Sequence, residues 1–473
     1  ILFVIFNLFD IERTYLFGID RVILSEILVS LIPFSIILIE KIKIFQNIKV
    51  NYLLVVLGVL IYLIQLINIV ILKTKAAWIS FVVITFFFLI ITRKYDLKIL
   101  NFRIVITANI ILIILSIFVS LLIPPTKEIG RTNLPKVFME TFDFDNTSQK
   151  TRIDFWNSSL NIFTEHPITG IGSGKWAGTY PLYSGNFYTD ENVDMNSAIN
   201  PHNDYIEVLT EYGIFGFIIF AGFIFTGLYF LFKKSKRDIN YLPFFLSALG
   251  VCIMMFFSFT KDNFWVMIVF GVCMGIAYST NYELVFKKYE FLNRNKFSLK
   301  KGFLIIGILI FTIGIWFKIM TEINEKEYLE AMNLKAQSKY EEMLTKLDGV
   351  SDFYYPVDMS KMPVDYYRGV GYFELKQYEK AFEKFQSARE RMKYYPTIMN
   401  NEASALYMTG NYEEAEKRYY EIRSIFPNYI EPKINLLAFY VNQKRNKDAK
   451  ELISEIESKS FNLRYVKNYS VFL

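Results

Sequence analysis

Residues 200–237 read NPHNDYIEVLTEYGIFGFIIFAGFIFTGLYFLFKKSKR. Asn200–Tyr212 mixes carboxylates with apolar side chains, Gly213–Phe232 carries no charge, and Lys233, Lys234, Lys236 and Arg237 close the stretch. About 20 uncharged residues at 1.5 Å each match a hydrocarbon core about 30 Å thick, so the run predicts a membrane-spanning helix with a basic stop. His202, one of two histidines in the chain, then stands just ahead of a span, with Asp204, Glu207 and Glu211 following it.

Runs at Val22–Ile39, Tyr52–Leu72, Ala76–Thr92, Arg103–Ile123, Tyr241–Thr260, Phe264–Tyr282 and Gly302–Met320 bring the expected spans to eight. A chain of 473 residues with 53% hydrophobic and 18% aromatic content is too apolar for a soluble domain, so the class expected is a polytopic membrane protein. The chain opens on ILFVIFNLF without a methionine, which reads as the tail of a further span in an N-terminally truncated sequence.

The formal charge of +6 is distributed by loop. Residues 124–212 carry 6 basic and 12 acidic side chains, and residues 321–473 carry 23 and 24. The basic excess sits in alternate short loops: Lys41, Lys43 and Lys49; Arg93, Lys94, Lys98 and Arg103; Lys233–Arg237; and Lys287, Lys288, Arg294, Lys296, Lys300 and Lys301. The loops between them hold only Lys73, Lys75 and Lys261. By the positive-inside bias the basic set is cytoplasmic, and residues 124–212 and the C-terminal region face outward. Basic residues that follow loop parity do not form a nucleic-acid footprint. Cys252 and Cys273 both fall inside expected spans, which excludes a disulfide framework and a thiolate metal cluster outside the membrane.

After Met320 a 34-residue period emerges. Ala381, Ala415 and Ala449 keep it, as do Tyr372, Leu406 and Tyr440, and Phe385, Tyr419 and Ile453. QYEKAFEKF and NYEEAEKRY are one helix start written twice. That period, with Gly369, Gly410 and Pro427 in register, predicts an α-solenoid of tetratricopeptide repeats over residues 321–473. Residues 322–362 read as helical but irregular. Such an array either offers a concave surface to a protein or peptide or is a passive stabilising domain.

Residues 124–212 are too long for a bare connector. RIDFWNSSLNIF and HNDYIEVLTEYG have helical periodicity and flank HPITGIGSGKWAGTYPLY. On a continuous helix His202, Tyr205 or Ile206, and Leu209 would share one face, and Glu207 would fall about 140° from His202. GIGSGKW lacks P-loop spacing, because Thr169 and Trp176 stand where glycine and a hydroxyl residue are needed. Its glycines suit close backbone approach, to a ligand or to a neighbouring helix. Asp143–Asp145 has the spacing of a metal-binding carboxylate pair or of an ordinary acidic loop. His166 before Pro167 suits a chain turn, and Arg131 and Lys175 are further candidates for phosphate contact. Glu26, Gln65 and Asn68 are polar within spans and carry no task legible here.

NPHNDYIEVLTEYGIFG resembles the His-Asn-x-Tyr…Glu-x-Gly-x-x-Gly motif of the O-antigen ligase and polymerase superfamily. RIDFWNSSLNIFTEHPITGIGSG resembles its Arg…Trp…His-Pro…Gly-x-Gly stretch, and KTKAAWISF its Thr-x-Ser-Arg-Gly-x-Trp span start, over residues 52–230 in all. One departure is Lys75 after Thr74 where the family has arginine, which keeps the charge and loses the bidentate fork. The resemblance implies a transmembrane bundle of the GT-C type over residues 1–320, all-α with its solenoid. It also implies glycan transfer from a polyprenyl-diphosphate carrier to an acceptor hydroxyl at the outer face of the bacterial cytoplasmic membrane, without a metal or other cofactor. His202 would be the general base, Arg152 and Lys75 the diphosphate ligands, and Asn203 and Glu211 supporting residues. The acceptor would be lipid A core (a ligase), a second carrier-linked glycan (a polymerase) or a protein (an O-oligosaccharyltransferase). A lipid-glycan transporter or a tetratricopeptide scaffold are the non-enzymatic alternatives.

Overall fold

The computed structural model describes residues 21–41, 48–72, 74–95, 107, 110–115, 117–118, 147–184, 199–280 and 296–458. The expected N-terminal span tail, most of Arg103–Ile123, Arg131 and Asp143–Asp145 lie outside the described residues. The described chain is all-helical, and it divides into two compact units, residues 1–156 with 201–290 and residues 157–200 with 291–473.

The first unit is built from α1 (Arg21–Lys41), α2 (Ile48–Leu72), α3 (Lys75–Lys94), the start of α4 (Thr147–Glu165), α5 (Asp204–Ser235), α6 (Leu242–Phe257) and α7 (Phe264–Thr280). Helix α6 packs against α1, α3, α5 and α7 and forms the centre of the unit. Small residues make those approaches close: Ser80 Oγ donates to the Gly250 carbonyl at 3.0 Å, and Ser247 Oγ to the Ser30 carbonyl at 2.7 Å. Gly227 of α5 faces the Met274 side chain of α7, which fills the space where a Cβ would stand. Ile84, Leu231, Leu246, Met254 and Cys273 fill the shared core.

Among the described residues, Lys75–Lys94, Asp204–Ser235 and Ile239–Phe257 are long and apolar enough to cross a membrane, and Val22–Ile36, Val56–Val70 and Phe264–Ser279 are shorter apolar helices. Their outer faces expose Val56, Leu60, Val82, Phe86, Ile219 and Phe225, side chains that water would not tolerate in a row and that lipid covers at no cost.

The charged ends fix relative sidedness within this unit. Lys236, just past α5, lies 5.3 Å over the Tyr95 ring, just past α3. The basic ends of α3 and α5 therefore lie together at one end of the bundle.

In the second unit α8 (Lys296–Ala336) runs unbroken through residue 320. Leu309, Phe311, Ile313, Trp316 and Ile319 are all exposed on it, and a helix apolar all round its surface is what a lipid environment accommodates. Then come α9 (Tyr340–Asp348), α10 (Val364–Glu374), α11 (Tyr378–Arg391), α12 (Pro396–Met408), α13 (Tyr412–Ile425), α14 (Glu431–Asn442) and α15 (Asn446–Ser458). Helices α11, α13 and α15 start 34 residues apart, and the periodic alanines Ala381, Ala415 and Ala449 are each 0% exposed. A Cβ on Gly369 would meet the Phe385 ring at 2.7 Å, which explains that glycine as a helix-contact position. The irregular stretch between α9 and α10 is organised by buried Arg368, which donates to the carbonyls of Leu347 and Val350 and pairs with Asp352 and Asp365.

Candidate functional site

His202 is not part of the helix that follows it. Its φ is +52°, the left-handed region that a non-glycine residue rarely adopts, and Asn203 after it is the N-cap of α5. The Asn203 side-chain oxygen accepts from the backbone N–H groups of Tyr205 and Ile206 at 3.0 and 3.1 Å. The helical-wheel angle between His202 and Glu207 therefore does not apply, because the chain reverses before the helix begins. Asn-Pro-His-Asn achieves this locally: Pro201 contributes its fixed φ, and its carbonyl accepts the Trp156 indole N–H at 2.9 Å. Helix α5 itself breaks at Gly213 (φ 66°, ψ −169°), a conformation open to glycine alone, so the polar segment Asp204–Tyr212 turns independently of the apolar run after it.

The imidazole sits between two rings, stacked at 6.4 Å on Phe155 of α4 and edge-on at 5.6 Å to Phe259. Arg152, one turn before Phe155, reaches into the same place, with Nη1 donating to the Phe257 carbonyl at 3.1 Å. No carboxylate among the described residues pairs with it. Of the carboxylates on the same helix, Glu165 accepts the Tyr183 hydroxyl, and Asp154 is exposed. Burial, and then the Arg152 charge, push His202 down to about 4 from 6.5, so the ring is neutral at physiological pH. Burial also lowers the Arg152 pKa, a cost that a bound anion would offset.

A third wall, invisible in the sequence motifs, is the turn Phe257–Asn263. Lys261 on this turn donates its backbone N–H to Asp204 Oδ2 at 2.8 Å and pairs through Nζ with Glu207 and Asp262, each at 3.0 Å. Burial opposes the Lys261 charge, but Glu207 and Asp262 outweigh it and hold the ammonium above its ordinary pKa. Glu26 of α1 gains a task here, accepting from Thr260 Oγ1 at 3.0 Å and Asn263 Nδ2 at 3.1 Å. The signal that sequence reasoning passed over was a lone lysine in a short loop between two spans. Asp204 Oδ1 and Glu207 Oε2 are buried with no hydrogen-bond partner in the described structure, leaving acceptor capacity on this face.

Arg152, His202 and Asn203 are thus brought together directly. Glu211 is 3% exposed and lies one turn beyond Glu207, close enough to act on its charge. Lys75 is the first residue of α3, behind Thr74, whose extended conformation makes it the N-cap. In the second unit His166 continues the last turn of α4, its N–H donating to Ile162 at 3.2 Å. Gly170, Gly172 and Gly174 all have positive φ, and the exposed Lys175 side chain folds over Gly172 as a local turn.

The described chain is all-α with helices of membrane length, as a membrane protein requires, and in it Arg152, which has no carboxylate partner among the described residues, stands beside His202, whose charge burial disfavours. Residues 57–221 match the family described as O-Antigen ligase. The match supports the O-antigen ligase superfamily and glycosyl transfer of the ligase or polymerase type, and it includes Lys75, Arg152, His202, Asn203 and Glu211. No curated protein and no solved structure matches the chain.

Proposed function

We propose that the protein transfers a glycan from a polyprenyl diphosphate to an acceptor hydroxyl at the outer face of the bacterial inner membrane, as an O-antigen ligase does. The observation that carries this is Arg152, a partly buried cation with no carboxylate partner among the described residues, set beside a neutral imidazole held in a left-handed conformation. The acceptor oxygen attacks the anomeric carbon, the bond from that carbon to the diphosphate oxygen breaks, and the hydroxyl proton passes to His202. The diphosphate leaves with the electron pair, and Arg152 and Lys75 stabilise its charge. Burial and then the Arg152 charge keep His202 weakly basic; a donor diphosphate beside Arg152 offsets the second of these, so base strength rises when donor is present. Asn203 fixes the backbone around His202, Glu211 is a supporting residue one turn beyond Glu207, and Asp204 Oδ1 and Glu207 Oε2 accept sugar hydroxyls. No step requires a metal.

In this reading residues 1–320 are the transferase domain and residues 321–473 a tetratricopeptide array on the periplasmic side. The array's cavity of about 290 Å³, lined by Phe373, Asn400, Asn401, Ser404, Glu431 and Asn435, suits a protein partner. The test is surface-glycan display in cells carrying His202→Asn, which tolerates the left-handed backbone, and Arg152→Gln, with protein levels matched. Loss of product in both supports the transferase. Single repeats on lipid A would mark a polymerase, full-length chains stranded on the carrier a ligase, and unglycosylated target protein an oligosaccharyltransferase. Normal glycans in His202→Asn would refute the base.

A further inference from the structure

We propose that the C-terminal helices brace the connection between Arg152 and His202, with Gly178 as the positioning residue that permits the contact; the catalytic part of this proposal rests on the transferase reading. The connection, residues 166–201, leaves α4 and returns as the His202 turn. Of its described residues, 166–184 form a folded body. Trp176 is 1% exposed, stacks on Tyr180 at 4.8 Å and donates its indole N–H to Ser159 Oγ of α4 at 2.8 Å. The Tyr183 hydroxyl donates to Glu165, the last residue of the same helix.

This body is seated on the turn between α11 and α12. Tyr394 N–H donates to the Gly178 carbonyl at 2.9 Å. A Cβ on Gly178 would lie 2.8 Å from Met392 Cα and 2.9 Å from the Arg391 carbonyl oxygen. Both neighbours are backbone, so no rotamer change makes room, and any other residue must push the two segments apart. The receiving turn is itself pinned. Arg389 donates to the Lys393 carbonyl at 3.3 Å and is held by Glu402 and Glu421, each at 2.6 Å. A rigid turn against a glycine carbonyl is a built contact. It also places residues 157–184 and the C-terminal helices on one side of any membrane, as the loop charges predict.

Since Trp176 and Tyr183 fasten this body to α4, the helix that carries Arg152, the braced body restricts the conformations open to that helix. The array, in addition to any partner it binds, then acts on its own chain.

The test uses the full-length protein in nanodiscs with Gly178→Val and Tyr394→Pro, and with Leu182→Ala on the exposed side of the same segment as control. Hydrogen exchange over residues 171–183 and steady-state glycan transfer are both measured. Brace and positioning together predict at least tenfold faster exchange in both variants, a tenfold or greater fall in kcat and little change in donor KM. Thiol labelling of buried Cys252 and Cys273 stays slow, which a general loss of folding would not allow. Unchanged exchange in both variants would overturn the brace; faster exchange with unchanged kcat would overturn the positioning role. Absence of transfer in the wild type would count against the transferase reading, and the exchange result would then decide the brace alone.

Discussion

Acidifying the solubilised protein tests the environment assigned to His202. The folded ring titrates near 4 against an ordinary 6.5, because burial and then Arg152 disfavour its charge. In the unfolded chain the proton binds at the ordinary value, so between 6.5 and 4 the unfolded state holds more protons than the folded state. Stability therefore carries no penalty above 6.5, declines as pH falls through that window, and levels off below 4. At 1.36 kcal/mol per pKa unit the full loss is about 3 kcal/mol. The assay is NMR of ¹³C-labelled histidine rings. The chain contains two histidines, and His166→Gln assigns them. The His202 resonance should stay in its neutral position through pH 6 and move near 4. In Arg152→Gln the midpoint should rise, because a repelling cation is gone. With a soluble diphosphate added it should also rise, because the anion cancels the same field. A His202 midpoint at 6.5 or above in the unliganded wild type would refute the burial and the Arg152 proximity together.

Asn203→Ala removes the acceptor for two N–H groups at the start of α5 and should cost about 1 kcal/mol, read as a lower thermal midpoint that Asn203→Ser largely restores. Gly213→Ala forces a Cβ into φ 66°, ψ −169° and should cost on the order of 2 kcal/mol; faster labelling of Cys252 and Cys273 reports it, and unchanged labelling would contradict the break in α5. Lys261→Met leaves Glu207 buried without its cation and should cost about 3 kcal/mol, whereas Lys261→Met with Glu207→Gln should cost less than the single change. An additive double variant would show that the pair is not coupled.

Much of the bundle was legible because lipid imposes a simple rule. A segment that crosses hydrocarbon must be apolar for about 20 residues and must satisfy its own backbone, so α3, α5 and α6 are written in hydropathy alone. The period of 34 in the C-terminal helices was legible for a related reason: Ala381, Ala415 and Ala449 repeat because each sits where two helices touch with no room for more. Arg152, His202 and Asn203 were legible through their motif and its resemblance, since a capped helix start and a local arginine need few distant partners to be recognised.

Sequence alone thus determined the membrane class, the helices, their repeat and the residue types of the candidate site, because each is encoded in near neighbours. Tertiary structure decided the rest. It took His202 out of the helix and set it between Phe155 and Phe259, residues far apart in the chain. It gave Lys261 and Glu26 their partners, since a buried charge is defined by what folds against it and not by its position in the chain. It also resolved the glycines of the connection into local turns and one close approach. Gly178 looks like any other glycine until the Met392 backbone, more than two hundred residues away, is brought within reach of where its Cβ would be.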